Sequence, residues 1–146
     1  MIEKEIYMEK ITRKQMKIYR NFILNNLEYS PFFTQISIKT LRNSYNGYGA
    51  QEMPKTLCKI INKIYKFAPE AAIEHDATWA MADAGIILPT DEQFYESNRR
   101  LKNNIIKCAK LRYHYFNFYR HWCILKAHIA EWVCNCYGHK YWGNNI

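Results

Sequence analysis

The chain has 146 residues, enough for one domain with a buried core, and 49% of them are hydrophobic, which excludes a disordered tail. It lacks the apolar run of roughly 18 residues that a transmembrane helix needs, and the charged start Met1-Ile2-Glu3-Lys4-Glu5 has no signal-peptide stretch, so a cytoplasmic location is expected. The net charge of +8 suits an anionic partner, or solubility alone.

The pattern along the chain predicts helices throughout, an all-α fold with no internal repeat and no clear strand. Thr12-Arg13-Lys14-Gln15 is a capping box that opens an amphipathic helix with Ile18, Phe22 and Ile23 on one face. Ser30-Pro31-Phe32-Phe33 breaks it, and a short helical piece is expected from Ile38 to Arg42. The loop Asn43 to Ala50 follows. Pro54 then stands where a helix can begin, and Leu57, Ile60, Ile61 and Ile64 recur at i, i+3, i+4 and i+7. Pro69 restarts the chain into a helix that Gly85 is expected to end.

That helix carries Ala71-Ala72-Ile73-Glu74-His75-Asp76-Ala77-Thr78-Trp79. Adjacent side chains on a helix point about 100° apart. His75 and Asp76 therefore serve neighbouring sites: His75 as a general base, Asp76 as a ligand for a hard cation. From Ala71 to Asn98 there are six acids and no Lys or Arg, so a cation site fits this segment. Thr90-Asp91-Glu92-Gln93 is a second capping box, and Phe94, Asn98, Leu101, Ile105 and Cys108 line one face of the helix it opens. The short link Ile86 to Pro89 should fold the two helices into an antiparallel hairpin, which brings Asn98 toward His75.

These residues resemble the phospholipase A₂ fold, in the small disulfide-poor versions of phages and parvoviruses. The family's calcium loop, Y-x-G-x-G, is matched by Tyr45-Asn46-Gly47-Tyr48-Gly49. Its active helix, two small or cysteine residues, two others, then H-D-x-x-Y, is matched by Ala71 to Trp79 with tryptophan for tyrosine. Its second helix is matched at Ser97-Asn98-Arg99-Arg100-Leu101, with Asn98 where the family has aspartate. The resemblance implies Ca²⁺ held by Asp76 and the carbonyls of Tyr45, Gly47 and Gly49, with His75 activating a water against a phospholipid ester. It implies that Asn98 orients the histidine without supplying a negative charge. The expected organisation is N-terminal helices over 1–44, the phospholipase A₂-like core over 45–108, and a basic aromatic helix and tail over 109–146.

No Gly or Pro interrupts the chain from Asp91 to Tyr137, so a break is expected near Tyr113 to Phe118. From Arg99 onward nine bases face a single acid, Glu131. Aromatic residues are densest here, interleaved with Lys110, Arg112, Arg120 and Lys126; with Trp122 these form a candidate binding surface for nucleic acid, a nucleoprotein complex or a membrane. His114, His121 and His128 are spaced by seven, two helical turns apart and too far for one ion. Cys134-x-Cys136-x-x-His139 lacks a second ligand pair, and the five scattered cysteines read as reduced thiols. Two functions stay open: a calcium-dependent lipid ester hydrolase or its weakened descendant, and a non-catalytic basic accessory or inhibitor protein, phage-encoded, on the same scaffold.

Overall fold

The computed structural model describes residues 11–48 and 54–143. Among them the fold is all-α: six α-helices, two short 3-10 turns and no strand. None of these helices is long and apolar enough to cross a membrane. Four of the six α-helices open on a short polar side chain that caps them. Thr12 Oγ1 accepts the Gln15 N–H at 3.1 Å and starts α1 (Arg13–Asn26). Ser37 Oγ accepts the Thr40 N–H at 3.1 Å and starts α2 (Ile38–Ser44), after a 3-10 turn at Pro31–Gln35 that buries Phe33. Pro54 precedes α3 (Lys55–Ile64), and Pro69 occupies the first turn of α4 (Pro69–Asp83), where its missing N–H costs no hydrogen bond.

Gly85 stops α4 as expected. Its φ is +75°, and the Ile86 N–H reaches Met81 O at 2.9 Å while the Gly85 N–H reaches Ala82 O at 3.1 Å. This paired closure satisfies the last carbonyls of the helix and needs a left-handed residue at that point. Thr90 Oγ1 accepts the Gln93 N–H at 3.2 Å and opens α5 (Asp91–Arg112). The break falls at 113–117, and Asn117 caps α6 (Phe118–Tyr137).

Helix α4 is the centre of the molecule. It is buried on nearly every side, against α1, α2, the 3-10 turn and α5. Between α4 and α5 the contacts run in opposing chain order: Trp79 meets Ser97, His75 meets Asn98, Glu74 meets Arg100 and Glu70 meets Arg112. All five residues expected on the inner face of α5, from Phe94 to Cys108, are buried. Helix α6 packs along α5 and closes the other side.

Two apolar faces differ from expectation. On α1 the buried residues are Met16 and Ile23, while Ile18 is 53% exposed. Ile18 lies two residues from Met16, about 200° around the helix, so only one of them can face α4. On α3 only Ile61 packs against the core; Leu57, Ile60 and Ile64 lie open to solvent. Regular spacing specifies a face but not what covers it.

At the heart of the α4–α5 contact Glu74 is fully buried. Its Oε1 accepts the Arg100 Nε–H at 3.1 Å, the Thr78 hydroxyl at 3.0 Å and the Ser30 N–H at 2.9 Å. A carboxylate out of water is tolerated only with such partners. Arg100→Met should therefore lower the unfolding free energy by about 3–5 kcal/mol in urea titrations, and adding Glu74→Leu should recover a large part of that loss.

Candidate functional site

The described site is built on one turn of α4. His75 projects toward α5, where its Nε2 meets Asn98 Oδ1 at 2.9 Å. The Asn98 amide is itself oriented, because its Nδ2 donates to Asn135 Oδ1 of α6 at 2.9 Å. With an acceptor facing Nε2, the ring carries its proton there and donates it to Asn98. The other ring nitrogen, Nδ1, keeps its lone pair and takes no hydrogen bond among the described residues. His75 is only 8% exposed. Burial is the main cause that pushes its pKa down to about 4; the Asn98 bond acts the other way, and the Arg100 charge pushes it further down. The ring is therefore neutral at physiological pH.

Asp76, the next residue, points about 100° away toward the loop after α2. Its Oδ2 accepts the Asn46 N–H at 2.7 Å and the Gly47 N–H at 3.0 Å. Gly47 has φ +71°, a conformation that side-chain-bearing residues rarely adopt. The Tyr48 N–H is held by Asn62 Oδ1 of α3 at 2.8 Å, so α3 and α4 grip the loop from two sides. Tyr45 caps α2 beside Asp76, and burial together with the Asp76 charge pushes its phenol well above the usual tyrosine range. Gly49 lies outside the described residues.

The loop and the carboxylate do adjoin, as a calcium site requires. The groups aimed at Asp76 Oδ2 are amide N–H donors, however, and these carry the wrong polarity for a cation. For Tyr45 and Gly47 to present carbonyls instead, the peptides around Gly47 would have to turn, which a glycine permits. Asp76 and the Tyr45–Gly47 stretch are thus neighbours that could supply oxygens to a hard cation only after such a turn, and the loop is in an anion-holding orientation.

The acidic segment is less open to a cation than its composition suggests. Glu74 belongs to Arg100, Glu70 to Arg112, Glu96 to Arg99 at 2.6 Å, and Asp91 to His139 at 2.8 Å. Two of these pairs, Glu74–Arg100 and Glu70–Arg112, join acids of α4 to bases of α5, while Glu96–Arg99 lies within α5. No cluster of three or more His, Cys, Asp or Glu that could hold a metal occurs among the described residues.

Trp79 stands where the resemblance has tyrosine. Its Nε1 donates to Ser97 Oγ at 3.1 Å, and its ring lies 5.1 Å from His75, 5.9 Å from Phe94 and 5.4 Å from Trp142 between centroids. Gly138 closes over this ring: a Cβ there would stand 2.8 Å from Trp79 Cη2. The tryptophan has a fitted cradle, and its polar atom serves Ser97 instead of Asn98.

The five residues of the basic aromatic set have different fates. Lys110 is exposed. Arg112 pairs with Glu70, donates to Phe67 O at 2.7 Å, and stacks over Phe22, so it ties α5 to α4 and α1. Lys126 is buried, its Nζ set 3.4 Å from Ile64 O and above the Tyr119 ring. Arg120 lies over Tyr115, and Trp122 is half exposed. Of the spaced histidines, His121 and His128 share α6, while His114 precedes that helix. Glu74, Arg100, Ser97 and Asn135 join the site without any role that the sequence motifs assign to them. The signal for Glu74 was a charge embedded between buried positions of the apolar helix α4; Arg100 stands on the polar helix α5, one residue before the buried Leu101.

No family model matches the chain, and no curated protein and no solved structure matches it.

The burial of His75 has a measurable consequence. Its folded pKa of about 4 lies below the ordinary 6.5, so across that window the unfolded chain binds a proton that the folded chain does not. Stability should fall as pH drops from about 6.5 to about 4, by about 3 kcal/mol for this residue. His75→Gln should remove that part of the slope in denaturant titrations run across the window.

Proposed function

We propose that the chain is a phospholipase A₂-like protein in which His75 serves as the base for hydrolysis of a lipid ester, at a rate reduced by its uncharged partner. The observation that carries this reading is the His75 Nε2–Asn98 Oδ1 bond, which leaves the Nδ1 lone pair as the acceptor for a proton. In the proposed reaction a water gives that proton to Nδ1 as its oxygen attacks the ester carbonyl. The imidazolium then returns it to the departing alcohol oxygen. The cation formed on His75 meets an amide dipole at Asn98 and the positive charge of Arg100, so the site stabilises it poorly. Calcium, when held by Asp76 and the Tyr45, Gly47 and Gly49 carbonyls, would supply positive charge to the ester oxygen.

The test is release of fatty acid from phospholipid vesicles with and without calcium. The native chain should be slow, and His75→Gln inactive. Asn98→Asp should raise the rate by on the order of 10²–10⁴, as a carboxylate does for a catalytic histidine elsewhere, and should move the acid limb of the pH profile toward neutrality. Equal rates in all three chains, or rates indifferent to calcium with Asp76→Ala unchanged, would defeat the reading.

A second reading is favoured by the same dyad. A neutral His–Asn pair and a net charge of +8 suit a non-catalytic protein that binds nucleic acid or a nucleoprotein complex. Its affinity should fall steeply with salt as counterions are released. Lys110→Glu with Arg120→Glu should weaken it without unfolding the chain; Arg112 is unsuited to that test because it holds Glu70. Binding that ignores both salt and these reversals would eliminate this alternative.

A further inference from the structure

Helix α6 is apolar on two opposite faces. Its inner face buries Cys123, Ala127 and Ala130 toward the core. Its outer face carries Phe118, Trp122, Leu125, Ile129, Trp132 and Cys136, spaced 4-3-4-3-4, all of them exposed. The five large side chains range from 45% exposed at Ile129 to 91% at Phe118. A helix that is hydrophobic all round is normally covered all round. A repeat averaging 3.5 residues over the length of a helix is the spacing of a coiled-coil seam, which is filled by side chains of a second helix with the same repeat.

The margins of the seam indicate the kind of partner. One margin holds His121, His128 and Asn135; the other holds Tyr119, Lys126 and Val133. Lys126 turns its ammonium inward, toward Ile64 O and the Tyr119 hydroxyl. The nearest acid, Glu131, is held by Lys102 at 3.1 Å. A helix lying on anionic lipid presents Lys and Arg along its margins, and among the described residues the margins of α6 hold only Lys126 of that kind, turned inward. The margins are near neutral although the chain as a whole is strongly basic, so two such faces can approach without stacking like charges.

We propose that α6 pairs with α6 of a second copy of this chain, in a two-fold dimer with the helices antiparallel. The six seam positions are balanced about the level of Ala127. Centred there, Leu125 of each copy lies opposite Ile129 of the other, Trp122 opposite Trp132, and Phe118 opposite Cys136. Aromatic side chains of this exposure, with the aliphatic pair between them, cover on the order of 1,000 Å² over the two copies, the lower bound for a specific interface. The proposal is independent of the lipid ester reading, since none of the six seam residues belongs to the site around His75.

Sedimentation equilibrium of the full chain tests it. The native chain should be a dimer in the micromolar range. Leu125→Glu, or Trp132→Glu, should raise the dissociation constant at least about 30-fold, as for loss of a central anchor, with helical circular dichroism retained. Ile18→Glu, an exposed apolar position on α1, should leave the dimer intact. A monomeric native chain at every concentration would overturn the proposal. So would a dimer indifferent to both seam substitutions, or a monomer whose seam residues are needed for binding to vesicles of anionic phospholipid.

Discussion

The buried Glu74–Arg100 pair sets the register on which the site depends. One carboxylate oxygen gathers the Ser30 N–H, the Thr78 hydroxyl and the Arg100 Nε–H, so the segment before the 3-10 turn, α4 and α5 are pinned at one point. Arg100 also reaches Thr78 Oγ1 at 3.3 Å, which fixes the plane of the guanidinium. A slip of one residue on either helix would leave a charge in the core without its partner, at a cost comparable to a large share of a small domain's stability. The pair therefore does more to select one arrangement than to add net stability. The other carboxylate oxygen, Oε2, is buried with no hydrogen-bond partner among the described residues, and burial raises the Glu74 pKa against the influence of Arg100. His75 sits next to Glu74 in the chain and Asn98 sits two residues before Arg100, so the dyad inherits its alignment from the ion pair.

The same arrangement explains the electrostatics of the dyad. Arg100 is needed by Glu74, yet its charge also bears on His75 and opposes protonation of the ring. A carboxylate at position 98 would offset that charge; an amide does not. Trp79 completes the uncharged surround, since its indole N–H goes to Ser97 and its ring shields one side of the imidazole. Accommodating the indole has required a close approach of the α6 terminus, where Gly138 lies against the ring without a side chain. The tryptophan, the glycine and the asparagine form one consistent neutral environment, in which a histidine is well ordered and hard to charge.

Much of the architecture is legible in the sequence because it is encoded locally. The Thr12 and Thr90 caps, the Gly85 stop, the break at 113–117 and the inner face of α5 are each set by a few neighbouring residues. The His75–Asn98 contact followed from two such elements and a short link between them. What stayed hidden depends on distant partners. Neither the exposure of Leu57, Ile60 and Ile64 nor the choice of Met16 over Ile18 can be read from period alone. The acids of α4 look like a cation site until Arg100 and Arg112 arrive from α5, 26 and 42 residues away from the carboxylates they hold. The polarity of the loop at Asp76 is likewise a tertiary result. The Y-x-G-x-G pattern places a loop there, but whether amides or carbonyls face the carboxylate depends on peptide orientation, to which residue identity is nearly blind once glycine is present.

Helix α6 ties these strands together. Its inner side supplies Asn135 to the Asn98 amide, and Glu131 to Lys102, and so holds the rear of the dyad in place. An asparagine in the centre of such a chain is oriented only if both of its ends have partners, because the amide can otherwise rotate and offer Nδ2 in place of Oδ1. With Oδ1 on His75 and Nδ2 on Asn135, the tautomer of His75 is selected from α6, through α5, onto α4. The outer side of the same helix bears the exposed seam. A helix that both orients the dyad and presents an uncovered apolar face gives packing at that face a direct mechanical path to the ring of His75: Asn135 to Asn98 to His75, with hydrogen bonds of 2.9 Å at both steps.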